Sequence, residues 1–302
     1  MNMTNVEKLF YKFDELTENY AKEKNISYLQ ALAKILELKN DKDYFFVLDN
    51  FSKEEIKKAY LFLTLKAYKK LDNKNYAPTP QIISIYISAI IKAIYKNKKI
   101  SAIDLASGRG TFFLDLIENY EGQTDLTSVE IDSDFLKLQA DIFNLLEKEI
   151  SLINTDALKN TTQEKYDLVI TESPSGYYTD EENSLNFKLC SNENKTLNAP
   201  LFLEQTTKYL KKQGVGILVL PKEILNFNKQ IKNYIENFMK LNAVIMLPKK
   251  MFKCEKDQKI IMLVTKKESK TLPENILLTE IKEGREAFLG FIRNFKKWLE
   301  EK

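Results

Sequence analysis

The stretch Ser101-Ala-Ile-Asp-Leu-Ala-Ser-Gly-Arg-Gly110 constrains the fold of this chain more than any other. Ile100 to Ile103 reads as a short buried strand and Asp104 stands at its end. Gly108 and Gly110 then supply a turn tight enough for the backbone to lie against a ligand, before Thr111-Phe-Phe-Leu114 opens a helix. A strand, a glycine turn and a helix N-terminus in that order can bind a nucleotide-like cofactor at the carboxyl end of a parallel strand. The dinucleotide fingerprint needs a third glycine where Phe113 stands, which argues against a nicotinamide cofactor with its pyrophosphate. Further on, Glu130 closes a second apolar run, where a carboxylate can accept both hydroxyl protons of a ribose. A nucleoside without a pyrophosphate fits best.

Beyond Ile100 the chain alternates strand-like and helix-like segments. Short apolar runs lie at Ile100 to Ile103, Leu126 to Glu130, Ser151 to Asn154, Asp167 to Thr171, Val215 to Leu220, Val244 to Leu247 and Ile260 to Thr265. Helical stretches near 111–119, 133–149, 198–212 and 228–240 fall between the earlier runs. That order predicts an α/β fold with a parallel, Rossmann-like sheet covered on both faces. Only the lysine-rich loop Pro248 to Lys259 separates the last two runs. It leaves no room for a crossover helix, so they are expected to pair as one antiparallel C-terminal hairpin.

Residues 1–72 read as an all-helical domain. Val6, Leu9, Phe10, Phe13, Leu16 and Tyr20 keep one helical stripe, and Ser27-Tyr-Leu-Gln30 and Ser52-Lys-Glu-Glu55 look like capping boxes opening two more helices. The third, Ile56 to Leu71, is apolar around most of its circumference at Ala59, Tyr60, Leu61, Phe62, Leu63 and Leu65, and is expected to be the buried centre. Residues 73–270 form the α/β domain. Residues 271–302 form a tail that turns at Leu272-Pro-Glu-Asn275 and ends in a helix from Glu283 to Glu300, striped by Phe288, Phe291, Ile292, Phe295, Trp298 and Leu299. For the helical domain a cover for the rest of the chain is expected ahead of a substrate clamp or homodimer surface, and for the terminal helix packing on the same chain ahead of a homodimer contact or a membrane-surface helix.

Composition narrows the chemistry. Histidine is absent, which excludes Ser-His-Asp and Cys-His catalysis and every His-containing metal site. Cys190 and Cys254 lack metal-ligand spacing and read as free buried thiols, so no metal is expected. Net charge is only +3, far from that of a nucleic-acid-coating protein, although a local basic groove is compatible with that total. Without a signal peptide or long apolar run, a cytoplasmic location and no membrane association are expected.

Four motifs in order then resemble the class I S-adenosylmethionine-dependent methyltransferases, specifically the N-6 adenine DNA methylase family. Asp104-Leu-Ala-Ser-Gly-Arg-Gly110 resembles its D-x-A-C-G-x-G motif, and Tyr76-Ala-Pro-Thr-Pro80 its T-P segment before the first strand. Asn154-Thr-Asp-Ala-Leu158 is similar to its D-A-L after the third strand, and Thr171-Glu-Ser-Pro-Ser-Gly-Tyr-Tyr178 falls where the family has its catalytic N-P-P-[FY]. Together they are far more specific than any one of them. The likeness is strongest to the small stand-alone YtxK-like branch.

The resemblance implies S-adenosyl-L-methionine as cofactor and a class I methyltransferase sheet, parallel with one antiparallel C-terminal hairpin. It implies that Thr79 lies over the methionine end, that Asp104, Ala106, Gly108 and Gly110 meet the amino-acid part, and that Glu130 takes the ribose. It places Ile131 against the adenine face, with Asp156 beside Ala157 accepting from the adenine amine. On the residues alone, Thr79-Pro80 also reads as an N-cap with proline at the first position of a helix from Gln81 to Tyr95. Asp104 reads equally as a turn-capping carboxylate, and Glu130 and Asp156 as helix caps.

By the same resemblance Glu172, Ser173, Pro174 and Tyr177 form the catalytic loop. In the family the loop's first residue and a backbone carbonyl accept the protons of an exocyclic amine, which frees its lone pair for attack on the methyl group, while an aromatic residue stacks on the flipped base. Here Glu172 stands in the acceptor's place and Ser175 in the aromatic's, so Tyr177 or Tyr178 would have to supply the stack. Thr179 to Ala199 is long and polar, a mobile lid or a surface loop. Lys249, Lys250, Lys253 and Lys256, interleaved with Met251 and Phe252, read as phosphate contacts or as a solvated loop. The function expected is methyl transfer to an amine of a nucleic-acid base, with adenine in DNA the leading acceptor. Enzymes acting on RNA or on a protein amide would share fold and motifs. A non-catalytic S-adenosylmethionine-binding regulatory or scaffold protein is the alternative that Glu172 and Ser175 favour.

Overall fold

The computed structural model describes residues 3–38, 48–71, 78–159, 162–191, 195–226, 228–252, 254 and 257–301. Helices α1 (Asn5–Lys24), α2 (Tyr28–Glu37) and α3 (Lys53–Lys70) open on reciprocal capping boxes, Thr4 with Glu7, Ser27 with Gln30 and Ser52 with Glu55. These bonds satisfy N–H groups that a helix start leaves unpaired. Ile56, Ala59, Tyr60, Leu63 and Ala67 make the buried stripe of α3. Phe62, expected inside, is 53% exposed, because at helical spacing it lies opposite that stripe.

Helix α4 (Gln81–Tyr95) follows Pro80 and is buried at Ile83, Tyr86, Ile87, Ile90 and Ile91. The chain then enters the sheet through β1 (Ile100–Asp104), α5 (Thr111–Asn119), β2 (Thr124–Glu130), α6 (Ser133–Leu145), β3 (Ser151–Asn154) and β4 (Tyr166–Glu172). It continues through α7 (Glu181–Ser184), α8 (Asn198–Tyr209), β5 (Leu210–Pro221), α9 (Lys229–Phe238), β6 (Met239–Met246), β7 (Lys259–Lys266), β8 (Leu277–Glu280) and α10 (Arg285–Leu299). Helices expected to reach 149, 212 and 240 stop earlier: strands β5 and β6 begin at Leu210 and Met239, and α6 ends at Leu145.

The strand order is β3-β2-β1-β4-β5-β7-β6-β8. Strands β1 to β5 pair in parallel, and β7 runs antiparallel to both β5 and β6, as the short β6–β7 connection requires. Strand β8, which the sequence reading lacked, adds parallel to β6 at the edge. The order reverses between β1 and β4, so the crevice at their carboxyl ends is the place where an open α/β sheet binds ligands.

One apolar cluster runs from Leu9 and Phe13 through Tyr86 and Phe113 to Phe295 and Trp298, so the N-terminal helices and α10 share a core with the sheet. The Tyr86 ring meets those of Phe288 and Phe291 edge-on at 4.9 and 5.0 Å, and Trp298 Nε1 donates to Asn275 O at 3.0 Å. The terminal stripe is thus covered within the chain. Cys190 is buried, whereas Cys254, expected inside, is exposed in the β6–β7 connection, whose sequence there is mostly charged. Among the described residues no helix is long and apolar enough to cross a membrane.

Candidate cofactor and active site

At the end of β1, Asp104 is 1% exposed; its Oδ1 accepts from the Ala106 N–H at 3.2 Å, and its Oδ2 has no partner among the described residues. Burial pushes its pKa up to about 8; the Ala106 N–H opposes the rise, and Glu130 and Glu172 add to it. A hidden carboxyl of this kind ionises readily only when a cation comes near. The turn beyond it depends on its glycines. Gly108 and Gly110 have φ of +52° and +78°, which side chains disfavour, and a Cβ on Gly108 would stand 3.0 Å from the Tyr68 hydroxyl. From α6, Gln139 Nε2 fastens the turn by donating to Ser107 Oγ at 2.8 Å and Gly108 O at 2.7 Å.

Glu130, at the end of β2, is not a helix cap: Asp132 caps α6 instead. The Glu130 carboxylate accepts from the Gly108 N–H at 2.8 Å and the Asp132 N–H at 3.0 Å, and burial raises its pKa. Asp156 Oδ1 accepts from the Leu158 N–H at 2.9 Å and its Oδ2 from the Tyr178 hydroxyl at 2.6 Å. A carboxylate has about four acceptor positions, so Glu130 and Asp156 both keep capacity for a ligand. Ile131 is 64% exposed and Ala157 is buried. Between these groups lies a cavity of about 320 Å³. Of the residues expected in the site, Thr79, Ala106, Gly108, Glu130, Ile131, Asp156, Ala157, Glu172, Ser173, Pro174 and Tyr177 line it, whereas Asp104 and Gly110 sit behind its wall.

Glu172, at the end of β4, is held from two sides. Thr79 Oγ1 donates to its Oε2, and Lys259 Nζ, from the first residue of β7, donates to its Oε1 at 2.6 Å. Thr79 is no helix cap: the helix opens at Gln81 with Pro80 in the cap position and no side-chain capping bond, one residue later than the Thr79-Pro80 reading places it. Ser173 is buried and donates from Oγ to Pro174 O at 3.0 Å, while Pro174 and Tyr177 are exposed. The start of α8 fastens the loop, with the Asn198 N–H donating to Gly176 O at 3.0 Å and Tyr177 bridging to Leu197. A second cavity, of about 730 Å³, shares Glu172, Pro174, Ser175 and Lys259 with the first and has Pro78, Met251 and Phe252 in its walls. Glu172 stands where the two meet.

Lys249 and Lys250 lie on the 3-10 turn that carries Met251, while Lys253 and Lys256 are outside the described residues. The described part of 179–199 is packed: Phe187, Leu189 and Cys190 are buried, and Asn183 Nδ2 donates to the Tyr178 hydroxyl at 2.8 Å and to Leu158 O at 3.2 Å. Sequence reasoning missed Tyr68, Arg109, Tyr178 as the partner of Asp156, and Lys259. For Lys259 a signal existed. An antiparallel β7 starts at the edge where the parallel strands end, so its first residue falls beside Glu172.

Comparison with known proteins agrees with this architecture. A Listeria monocytogenes protein assigned to the class I S-adenosylmethionine-dependent methyltransferases superposes with a TM-score of 0.87 at 24% identity, over 98% of this chain and 99% of its own. The type I restriction-modification system methyltransferase subunit from Streptococcus thermophilus superposes with a TM-score of 0.65 at 15% identity, over 94% of this chain and 73% of that one. The fold is that of a class I methyltransferase. In sequence, YtxK, an uncharacterised protein of Bacillus subtilis (strain 168), is 26% identical over 258 residues, 83% of this chain and 78% of the relative. Residues 52–296 match the N-6 DNA Methylase family, and the chain belongs to it.

The residues present fit S-adenosylmethionine, the cofactor this fold implies. Gly108, at positive φ, lines the cavity with its backbone, the unpartnered Asp104 oxygen would answer a cation, and Glu130 and Asp156 retain acceptor positions.

Proposed function

We propose that the chain transfers a methyl group from S-adenosylmethionine to an exocyclic amine of a nucleic-acid base, with adenine in DNA as the leading acceptor. The observation that carries this reading is the position of Glu172, at the carboxyl end of β4 between a cavity lined with cofactor-type groups and a larger one lined by Met251 and Phe252. When bound, the cofactor supplies a methyl group on a sulfonium. Glu172 accepts a hydrogen bond from the acceptor amine, which localises the nitrogen lone pair for in-line attack. Thr79 and Lys259 hold the Glu172 carboxylate in one orientation. Pro174, Met251 and Phe252 give the base apolar walls, and Lys249 and Lys250, on the turn that carries Met251, are the nearby cations that would meet its phosphates.

A second reading, a cofactor-binding regulatory protein without activity, is favoured by one observation: among the described residues the Glu172 carboxylate, unlike those of Glu130 and Asp156, is held in an ion pair, with Lys259. Incubation with labelled S-adenosylmethionine and separate pools of DNA, RNA and protein decides between them. Label in DNA is expected. Label only in RNA or protein replaces the acceptor, and cofactor binding with no transfer to any pool favours the regulatory reading.

The raised pKa of Asp104 gives cofactor binding a defined pH dependence. Without ligand the carboxyl holds its proton up to about pH 8, whereas the unfolded chain releases it near the ordinary 3.8. That proton favours the folded state below about pH 4, and the contribution is lost as pH rises towards 8. A cationic ligand reverses the preference by stabilising the anion. Affinity for S-adenosylmethionine is therefore expected to rise towards pH 8 and level off above it, with about one proton released per binding event at pH 7. Calorimetry in buffers of different ionisation enthalpy measures that proton. Asp104→Asn should abolish the release; an unchanged release would remove Asp104 from the coupling.

A further inference from the structure

Arg109 stands between the two turn glycines in the wall of the smaller cavity and is 3% exposed. Its Nη1 donates to Leu61 O at 2.9 Å and Thr64 Oγ1 at 3.1 Å, both on α3, and its Nε to Thr111 Oγ1 at 3.0 Å. Its Nη2 makes only a long contact, 3.4 Å, to Thr79 O. All of these acceptors are neutral, and Arg109 has no ion pair among the described residues. The carboxylates that act on it from a distance, Asp115 and Glu172, are engaged elsewhere: Asp115 with Lys57 and Ser84, Glu172 with Lys259 and Thr79.

The contrast with Lys57 is instructive. That ammonium, 4% exposed on the same helix that receives Arg109, has two carboxylates, Asp115 at 3.0 Å and Glu118. Arg109 is buried to a similar depth with none. A buried guanidinium without a counter-ion is costly, and hydrogen bonds to neutral oxygens offset only part of that cost. A staple between the glycine turn and α3 would need the hydrogen bonds but not the charge. The Tyr68 ring, 6.0 Å from Cζ, answers the charge only weakly, and the charge has a fuller use if an anion arrives. Elsewhere the cavity offers carboxyl groups, Glu130, Asp156 and Glu172 on its wall and Asp104 behind it, and its other described cation, Lys259, is paired with Glu172, so a ligand anion is best placed at Arg109. The electrostatics select a ligand with one anionic end beside cationic groups, which is the pattern of an α-amino acid carrying a sulfonium.

We propose that Arg109 anchors the α-carboxylate of the cofactor's amino-acid moiety; the inference rests on the reading of this cavity as the S-adenosylmethionine site. The test is calorimetric binding of S-adenosylmethionine and of its decarboxylated form, which differ only in that carboxylate, to the wild type, Arg109→Met and Arg109→Lys. The wild type is expected to bind the carboxylated ligand roughly 10- to 100-fold more tightly. In Arg109→Met the two affinities should converge to within about threefold through loss of S-adenosylmethionine binding alone. Arg109→Lys, which keeps the charge and loses the fork, should retain part of the preference. Because the ratio is read on one protein, a smaller folded fraction does not change it. Equal weakening of both ligands by Arg109→Met would make Arg109 a structural staple only. Should that variant fail to fold, a wild-type ratio near one overturns the proposal without it. Binding of neither ligand to the wild type would instead remove the cofactor reading, and this proposal with it.

Discussion

Glu172→Ala is expected to lower methyl transfer by roughly 10²- to 10³-fold, the usual cost of removing a group that meets charge developing in the transition state. Affinity for S-adenosylmethionine should change by less than about threefold, because the lost interaction belongs to the acceptor amine. The substitution also leaves Lys259 without its carboxylate while that side chain is 14% exposed. An unpaired ammonium there is expected to cost about 3 kcal/mol of stability, visible as a lower melting temperature. The double variant Glu172→Ala/Lys259→Met removes both charges and should recover most of that stability without recovering transfer. Initial rates with labelled cofactor, read beside thermal unfolding, separate the two effects. Transfer that returns with stability in the double variant would show that Glu172 orders the loop and does no chemistry.

The parts legible in the sequence are those fixed by local rules. Strand β3 spans the predicted Ser151 to Asn154, the two predicted capping boxes at Ser27 and Ser52 form from residues three apart, and the glycine turn follows from a positive φ that few other residues accept. What was not legible depends on distant parts of the chain. Strand β8 is four residues long, half of them exposed, and exists through its pairing with β6 alone, so its sequence carries no clear period of two. An arginine between two glycines reads as solvated, and only the docking of α3 buries Arg109. The expected Thr79 cap is absent because the helix starts one residue later, with Pro80 in the cap position, and the Thr79 hydroxyl instead donates to Glu172, 93 residues away. In the candidate site, therefore, the motifs named residues that line one cavity, while the side chains that hold them in place depend on tertiary contacts.

Lys57→Met should show how far the catalytic edge depends on the N-terminal helices. Lys57, on α3, reaches Asp115 and Glu118 of α5, and Ser84 of α4 donates to the other oxygen of Asp115, so one buried cluster joins three helices. With the ammonium gone, Asp115, 1% exposed, keeps a single hydroxyl donor from a side chain and must be buried charged or take up a proton. Breaking a buried pair in this way costs about 3–5 kcal/mol, or roughly 5–8 °C in melting temperature for a chain of this size. The double variant Lys57→Met/Asp115→Leu, which removes both buried charges, should recover a large part of the loss; no recovery would mean that α3 is held chiefly by its apolar stripe. The same helix supplies Leu61 and Thr64 to Arg109, and α5 begins directly after Gly110. Loosening the α3–α5 junction is therefore expected to weaken S-adenosylmethionine binding as well as the fold, and calorimetry well below the variant's melting temperature measures that. Unchanged affinity in a destabilised Lys57→Met protein would show that the glycine turn keeps its geometry without α3.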